Sequence, residues 1–466
     1  METKTMAENS QNEKALKKKG AAQYLGISLI VFGIVFNPWL LEWLFPSYIG
    51  DSLKASNKIL IGFFQIVFLF FGFLFYRSRT SKDVKRAYFS VVLLFLMILF
   101  VEGTLHLVSW FVPFASLNNP NQMKPIYLLP YYQDQEWARQ FTEELTAYGK
   151  SIEFAPYVNV TRKNFHGMHI NVNEDACRKT WNPSSPPEPN SIVIFMFGGS
   201  ALFGYGSRDE RTIPSVFSQL INQNPSGRYY VYNYGQFGYT IQQEIVKLLL
   251  LLREGKRPDY VIFYDGVNEV TQAYHTRKAG STKEEEQIRQ KVAYRYPSPL
   301  EHFLIGIEEG FYKYSAIGSL LQEITRRIDN AVTSDFPKDE TAAREFAEQI
   351  AENYLKSYSL LDCLSVGFGF QYLCIWQPVI FTEGPLIEKD SDFRDPVNLK
   401  NEKRKMLYLY TYELMRQKKL KNFVDLSGSL SDRKEPLFID LCHLNENGDK
   451  QMAQKIYTVF KEKFLQ

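Results

Sequence analysis

The sequence predicts an α/β domain built on a parallel sheet with helices on both faces, carried behind three membrane-spanning helices. Three observations predict it. The first quarter of the chain holds three long apolar stretches, and residues 191–466 alternate short, wholly apolar runs with longer helical patterns. Between them lies WNPSSPPEPNS, ending at Ser191, a linker by composition. With 23% charged and 15% aromatic residues, a disordered or collagen-like chain is excluded. The 54 Lys+Arg against 51 Asp+Glu give a net charge of +3, which supplies no single-sign field for nucleic acid. The mean hydropathy of -0.25 conceals how unevenly the apolar residues are spread.

Residues 21–45, 59–76 and 87–112 are the expected spans, since about 20 mostly apolar residues cross a bilayer. A cleaved leader fits the first stretch poorly. No small-residue cleavage site follows it, and two further apolar segments do. Lys4, Lys14, Lys17, Lys18 and Lys19 precede the first span, and Arg77, Arg79, Lys82, Lys85 and Arg86 lie between the second and third. Only Lys54 and Lys58 lie between the first two. The positive-inside rule therefore places the 1–20 tail in the cytoplasm and everything after about residue 112 in the periplasm or outside the cell. Glu102 and His106 fall near the end of the third span, close enough to the interface for hydration.

Residues 113–190 form a polar, aromatic lead-in. A helix is expected over 133–148, where Trp137, Phe141, Leu145 and Tyr148 recur at helical spacing, and strand-like runs follow at 152–160 and 168–172. From 191 onward, strands are expected at 192–197, 229–232, 260–264, 371–376 and 423–426. Helices fill 241–252, 341–364 and 403–417 between them. In such sheets, ligands bind at the carboxyl ends of the strands.

Each of those ends carries residues with a plain and a chemical reading. Ser200 follows Gly198-Gly199 and is either a helix cap or an exposed nucleophile whose own N–H faces a substrate oxygen. Gly238 is either a turn residue or a bare N–H presented to the cleft. Asn268, in DGVNEV, either caps the next segment or donates its amide to a developing oxyanion. Asp440 and His443 are three apart, which lets both face one way on a helical turn. There the carboxylate can hold the imidazole in the tautomer that takes a proton from serine. No second histidine or carboxylate cluster is in register for a metal.

In this chain order, Ser200, Gly238, Gly266-Val267-Asn268 and Asp440-Leu441-Cys442-His443 resemble the four blocks of the SGNH hydrolases, also called GDSL-type esterases. The resemblance covers about residues 190–466. Gly199 stands where that family usually has an aspartate, as does Glu269 after the asparagine. The resemblance implies a flavodoxin-like α/β/α fold. It also implies a triad of Ser200, His443 and Asp440, an oxyanion hole from Ser200, Gly238 and Asn268, and no metal or diffusible cofactor. It implies an acyl ester substrate, either a lipid or a cell-surface glycan. An O-acyltransferase would share the acyl-enzyme and would need a membrane partner to supply the acyl donor, because three helices are few for carrying one across. A non-catalytic glycan-binding or assembly protein is the remaining class.

The other polar features have plainer readings. His166 and His169 fall on opposite faces of an extended segment. Cys177, Cys363, Cys374 and Cys442 read as buried free thiols, although a compartment outside the cytoplasm permits disulfides. The long insert at about 271–340 is a candidate lining for the cleft.

Overall fold

The computed structural model describes residues 22–35, 55–78, 81–111, 123–184, 186–223, 228–283, 314–333, 336–384 and 401–465, with isolated positions between them. The expected cytoplasmic tail, the loop carrying Lys54, the start of the lead-in and much of the 271–340 insert lie outside the described residues. The chain divides into two compact units, one of Met1–Asn119 with Arg289–Asp335, the other of Pro120–Ile288 with Phe336–Gln466.

The larger unit is built on five parallel strands: β1 (Ile192–Gly198), β2 (Tyr229–Gly235), β3 (Tyr260–Asp265), β4 (Gln371–Trp376) and β5 (Phe423–Asp425). Their order, β2-β1-β3-β4-β5, is that of a doubly wound sheet. Apolar residues on both faces of a strand require cover on both sides. Tyr260 on one face of β3 meets Phe460 and Phe464 of the C-terminal helix Glu446–Phe464. On the opposite face of β4, Trp376 meets Tyr354 and Tyr372 meets Tyr358, both from the long helix Glu340–Phe368. Helices Ile241–Arg253 and Glu402–Arg416 pack on that long helix, and helix Ile213–Ile221 packs on the C-terminal one.

Residues 123–184 pack into this unit. The helix expected over 133–148 runs from Ala138 to Lys150, because residues 130–137 form turns that bury Tyr132. Its Phe141, Leu145 and Tyr148 are buried as the spacing predicts, and Tyr148 stacks on Phe203 beside the Ser200 turn. The strand-like run 152–160 is bent into an antiparallel hairpin, Ile152–Ala155 with Asn159–Arg162, whose turn holds Tyr157 and Asn159 at positive φ.

In the smaller unit, the three expected spans receive uneven support. Among the described residues, one helix is long and apolar enough to cross a membrane, Lys82–Leu107, and no residue of its apolar window is buried. The described apolar parts of the other two, Ala22–Val35 and Phe64–Arg77, are shorter, and the second belongs to the 23-residue helix Ala55–Arg77. Beyond Val35, most of the first expected span lies outside the described residues.

Candidate active site

Four chain segments meet beyond the carboxyl ends of β1, β2 and β3. After β1, Gly199 is the N-cap of the short helix Ser200–Phe203, so Ser200 stands at its first turn. Amides in a first turn have no intrahelical acceptor. A Cβ on Gly199 would overlap the Asn268 Nδ2 and oblige that side chain to move. Beyond β2, Gly238 has φ +79, a left-handed backbone that other residues rarely adopt. Beyond β3, Asn268 sits in the first turn of helix Val267–Thr276 and donates its Nδ2 to the Tyr239 carbonyl at 2.7 Å. One N–H of that amide is thus spent on the Gly238 loop, leaving its second for a ligand.

Asp440 and His443 arrive from the C-terminal loop. They do not lie on a helical turn, as their spacing predicted. Phe438 and Leu444 bridge, Ile439 N donates to His443 O at 2.9 Å, and the residues between them form a closed bend. Inside it, Asp440 Oδ1 accepts from the backbone N–H groups of Cys442 at 3.0 Å and His443 at 2.9 Å. The carboxylate therefore shapes the loop that presents its partner.

The side chains form one hydrogen-bonded line. Ser200 Oγ lies 2.7 Å from His443 Nε2, and His443 Nδ1 lies 2.7 Å from Asp440 Oδ2. Tyr205 stacks on the imidazole with ring centroids 4.3 Å apart. Burial alone would raise the Asp440 carboxyl, but the adjacent His443 charge, its hydrogen bond and the two N–H groups outweigh that and hold it at about 2. Burial works the other way on His443, and the Asp440 carboxylate overrides it, lifting the imidazole well above its usual value. Such a line can draw a proton from a serine hydroxyl and stabilise the imidazolium that forms.

Among the described residues, the one set of side chains close enough to share a metal is Asp440, Cys442 and His443, and two of its members already bond one another. No disulfide joins the four cysteines; Cys177 and Cys374 are buried as expected, whereas Cys363 is exposed.

Glu269 is the site residue that sequence reasoning passed over. Buried beneath the loops, its Oε1 accepts from Ile241 N at 3.0 Å and its Oε2 from Gly266 N at 2.8 Å. It ties the segment after Gly238 to the turn that carries Asn268. Glu244 and Asp265 are buried beside it, and burial followed by mutual repulsion raises their carboxyl groups. The signal was a carboxylate directly after Asn268, whose acceptor role depends on contacts distant in sequence.

No family model matches the chain, and no curated protein does. Among solved structures, an acetyl xylan esterase is similar at 14% identity and a TM-score of 0.30, over 57% of this chain and 99% of its own. A G-D-S-L lipolytic protein from Desulfitobacterium hafniense is similar at 12% identity and a TM-score of 0.31, over 58% and 99%. One from Veillonella parvula is similar at 16% identity and a TM-score of 0.29, over 58% and 99%.

Proposed function

We propose that the chain is a serine esterase, attached to a membrane, that removes ester-linked acyl groups outside the cytoplasm through an acyl-enzyme on Ser200. The observation that carries this reading is the unbroken line from Ser200 Oγ to His443 Nε2 and from His443 Nδ1 to Asp440 Oδ2, at 2.7 Å in each step. His443 takes the serine proton as the hydroxyl attacks the ester carbonyl, then gives it to the departing alcohol. The Ser200 and Gly238 N–H groups and the second N–H of Asn268 receive the oxyanion. Water, activated by the same imidazole, then releases the acid. The four-block resemblance to SGNH hydrolases supports this assignment.

Membrane attachment rests on helix Lys82–Leu107, with Lys82, Lys85 and Arg86 at its cytoplasmic end and an apolar window in which no residue is buried. It makes lipids and surface glycans the reachable ester substrates. The test is p-nitrophenyl acetate release by the full chain in detergent, with a fluorophosphonate label to find the nucleophile. Ser200→Ala and His443→Ala are each expected to lower turnover by about 10⁴-fold or more, with labelling lost in Ser200→Ala. A folded wild-type chain that neither turns over nor labels would sink the assignment.

A further inference from the structure

Glu102 poses a question that the esterase reading leaves unanswered. It lies on the apolar helix Lys82–Leu107, where an ionised side chain is expensive and needs a partner. Its partners come from the distant segment of the same unit, Arg289–Asp335. Glu102 Oε1 accepts from the backbone N–H of Ala316 at 2.6 Å, and Oε2 accepts from the Ile317 N–H at 3.0 Å and the Ser315 hydroxyl at 3.0 Å. These are the leading donors of helix Ala316–Thr333, which otherwise have no acceptor. His106 Nε2 lies 3.1 Å from Glu102 Oε1 and closes the other side of the carboxylate.

The captured helix is amphipathic over its described turns. At 100° per residue, Ile317, Leu320, Leu321 and Ile324 fall on one stripe less than a third of the circumference wide. Gln322 and Glu323 occupy the opposite arc. The helix packs against both Ala55–Arg77 and Ser81–Phe111, and Ala316 is buried there. That contact does not cover the stripe, since Ile324 remains 43% exposed, and Tyr314 just ahead of the helix 70%.

The height of the contact identifies what covers the rest. At 1.5 Å per residue, Glu102 lies about 30 Å along the helix from Lys82, which is the thickness of the hydrocarbon core. With the basic Lys82 end at one interface, Glu102 and the helix it caps reach the other. We infer that helix Ala316–Thr333 lies in the outer membrane–water interface, its apolar stripe against lipid, and that Glu102 is the socket holding it to the spanning helix. The inference rests on the membrane attachment proposed above. The partner is a lipid surface: charged side chains on the outer arc stay in water, and the stripe enters the boundary between headgroups and acyl chains. A carboxylate unsuited to the bilayer interior is, at this depth, a helix cap.

The test uses the full chain in phospholipid nanodiscs, carrying Cys363→Ser and Cys442→Ala so that added cysteines can be spin-labelled selectively. Accessibility is measured to oxygen, which partitions into lipid, and to a nickel chelate, which stays in water. A label at Ile324→Cys is expected to be relaxed more by oxygen than by nickel. Relaxation mainly by nickel, or by neither reagent, overturns the interfacial helix. A label at Phe95→Cys, near mid-span, reports on the anchor independently. If that site also favours nickel, the membrane reading has failed; if it favours oxygen while 324 does not, only the interfacial helix has. Adding Glu102→Ala is expected to narrow the spectrum at 324 as the helix loses its socket. An unchanged line shape rules out Glu102 as that socket.

Discussion

At the scale of single residues, Gly199 bears directly on the Asn268 amide. Where an aspartate is usual, any Cβ would collide with the Asn268 amide. Gly199→Ala should therefore push Asn268 off its contact with Tyr239 and act on the same oxyanion donor as Asn268→Ala. Each substitution is expected to lower kcat by about 10²–10³ with little change in KM. Because both remove one interaction, the double variant should be no worse than the more damaging single one. Additive losses in a kinetic cycle would show that Gly199 acts elsewhere. His443 supports a second prediction. Only the neutral imidazole can accept the serine proton, and the buried Asp440 carboxylate favours the charged form, so its pKa is raised. Activity is then lost as pH falls through that raised value. The acid limb of kcat/KM should lie above the ordinary histidine value of about 6.5. Asp440→Asn should move it down along with the rate, and a limb at or below 6.5 in the wild type would contradict the geometry.

At the scale of elements, the strands were legible and their fastenings were not. The runs IVIFMF, YVIFY and QYLCIW are apolar on both faces, a local property, and they form β1, β3 and β4 within a residue or two of the expected ends. Ser200, Gly238 and Asn268 each lie within three residues of a strand's carboxyl end, a local signal, whereas Asp440 and His443 come from a loop well beyond β5. The clamp by Glu269 was not legible, since its acceptor role appears only when Ile241 and Gly266 converge. Shortening it in Glu269→Asp should let one loop go. The expected result is a kcat about 10–100-fold lower with KM nearly unchanged, since sub-ångström misplacement acts on the transition state. Equal loss of kcat and folding stability, with a matching rise in KM, would reduce Glu269 to a structural role. Arg178 was hidden in the same way. It is wholly buried, pairs with Asp209 at 3.0 Å and donates to the carbonyls of Phe203, Gly204 and Ser207, fastening the lead-in to the turn behind Ser200. Arg178→Ala strips the buried Asp209 of its cationic partner and three carbonyls of a charged donor, so urea unfolding should show about 3–5 kcal/mol of destabilisation. A change under 1 kcal/mol would mean that the lead-in is dispensable.

At the scale of the whole molecule, the chain's path between its units decides which fragment can stand alone. It leaves the smaller unit after Asn119, returns to it at Arg289, and leaves again after Asp335. A cut at residue 119 therefore removes the apolar helices and Glu102 but keeps helix Ala316–Thr333, with its leading N–H groups uncapped and its apolar stripe uncovered. Exposed stripes of that kind drive association. Deleting 1–119 and also replacing 289–335 with a Gly/Ser linker of about 20 residues removes the smaller unit entirely, at a modest loop-closure cost. The sheet, the Ser200–His443–Asp440 line and residues 123–184 all stay within what is left. The doubly deleted protein is expected to be monomeric by size-exclusion chromatography and to hydrolyse p-nitrophenyl acetate at the rate of the full chain in detergent. The simple truncation is expected to aggregate or to need detergent. Were the simple truncation equally monomeric and active, helix Ala316–Thr333 would belong with the catalytic unit. Loss of folding in the double deletion alone would mean that 289–335 supports the sheet as well as the anchor.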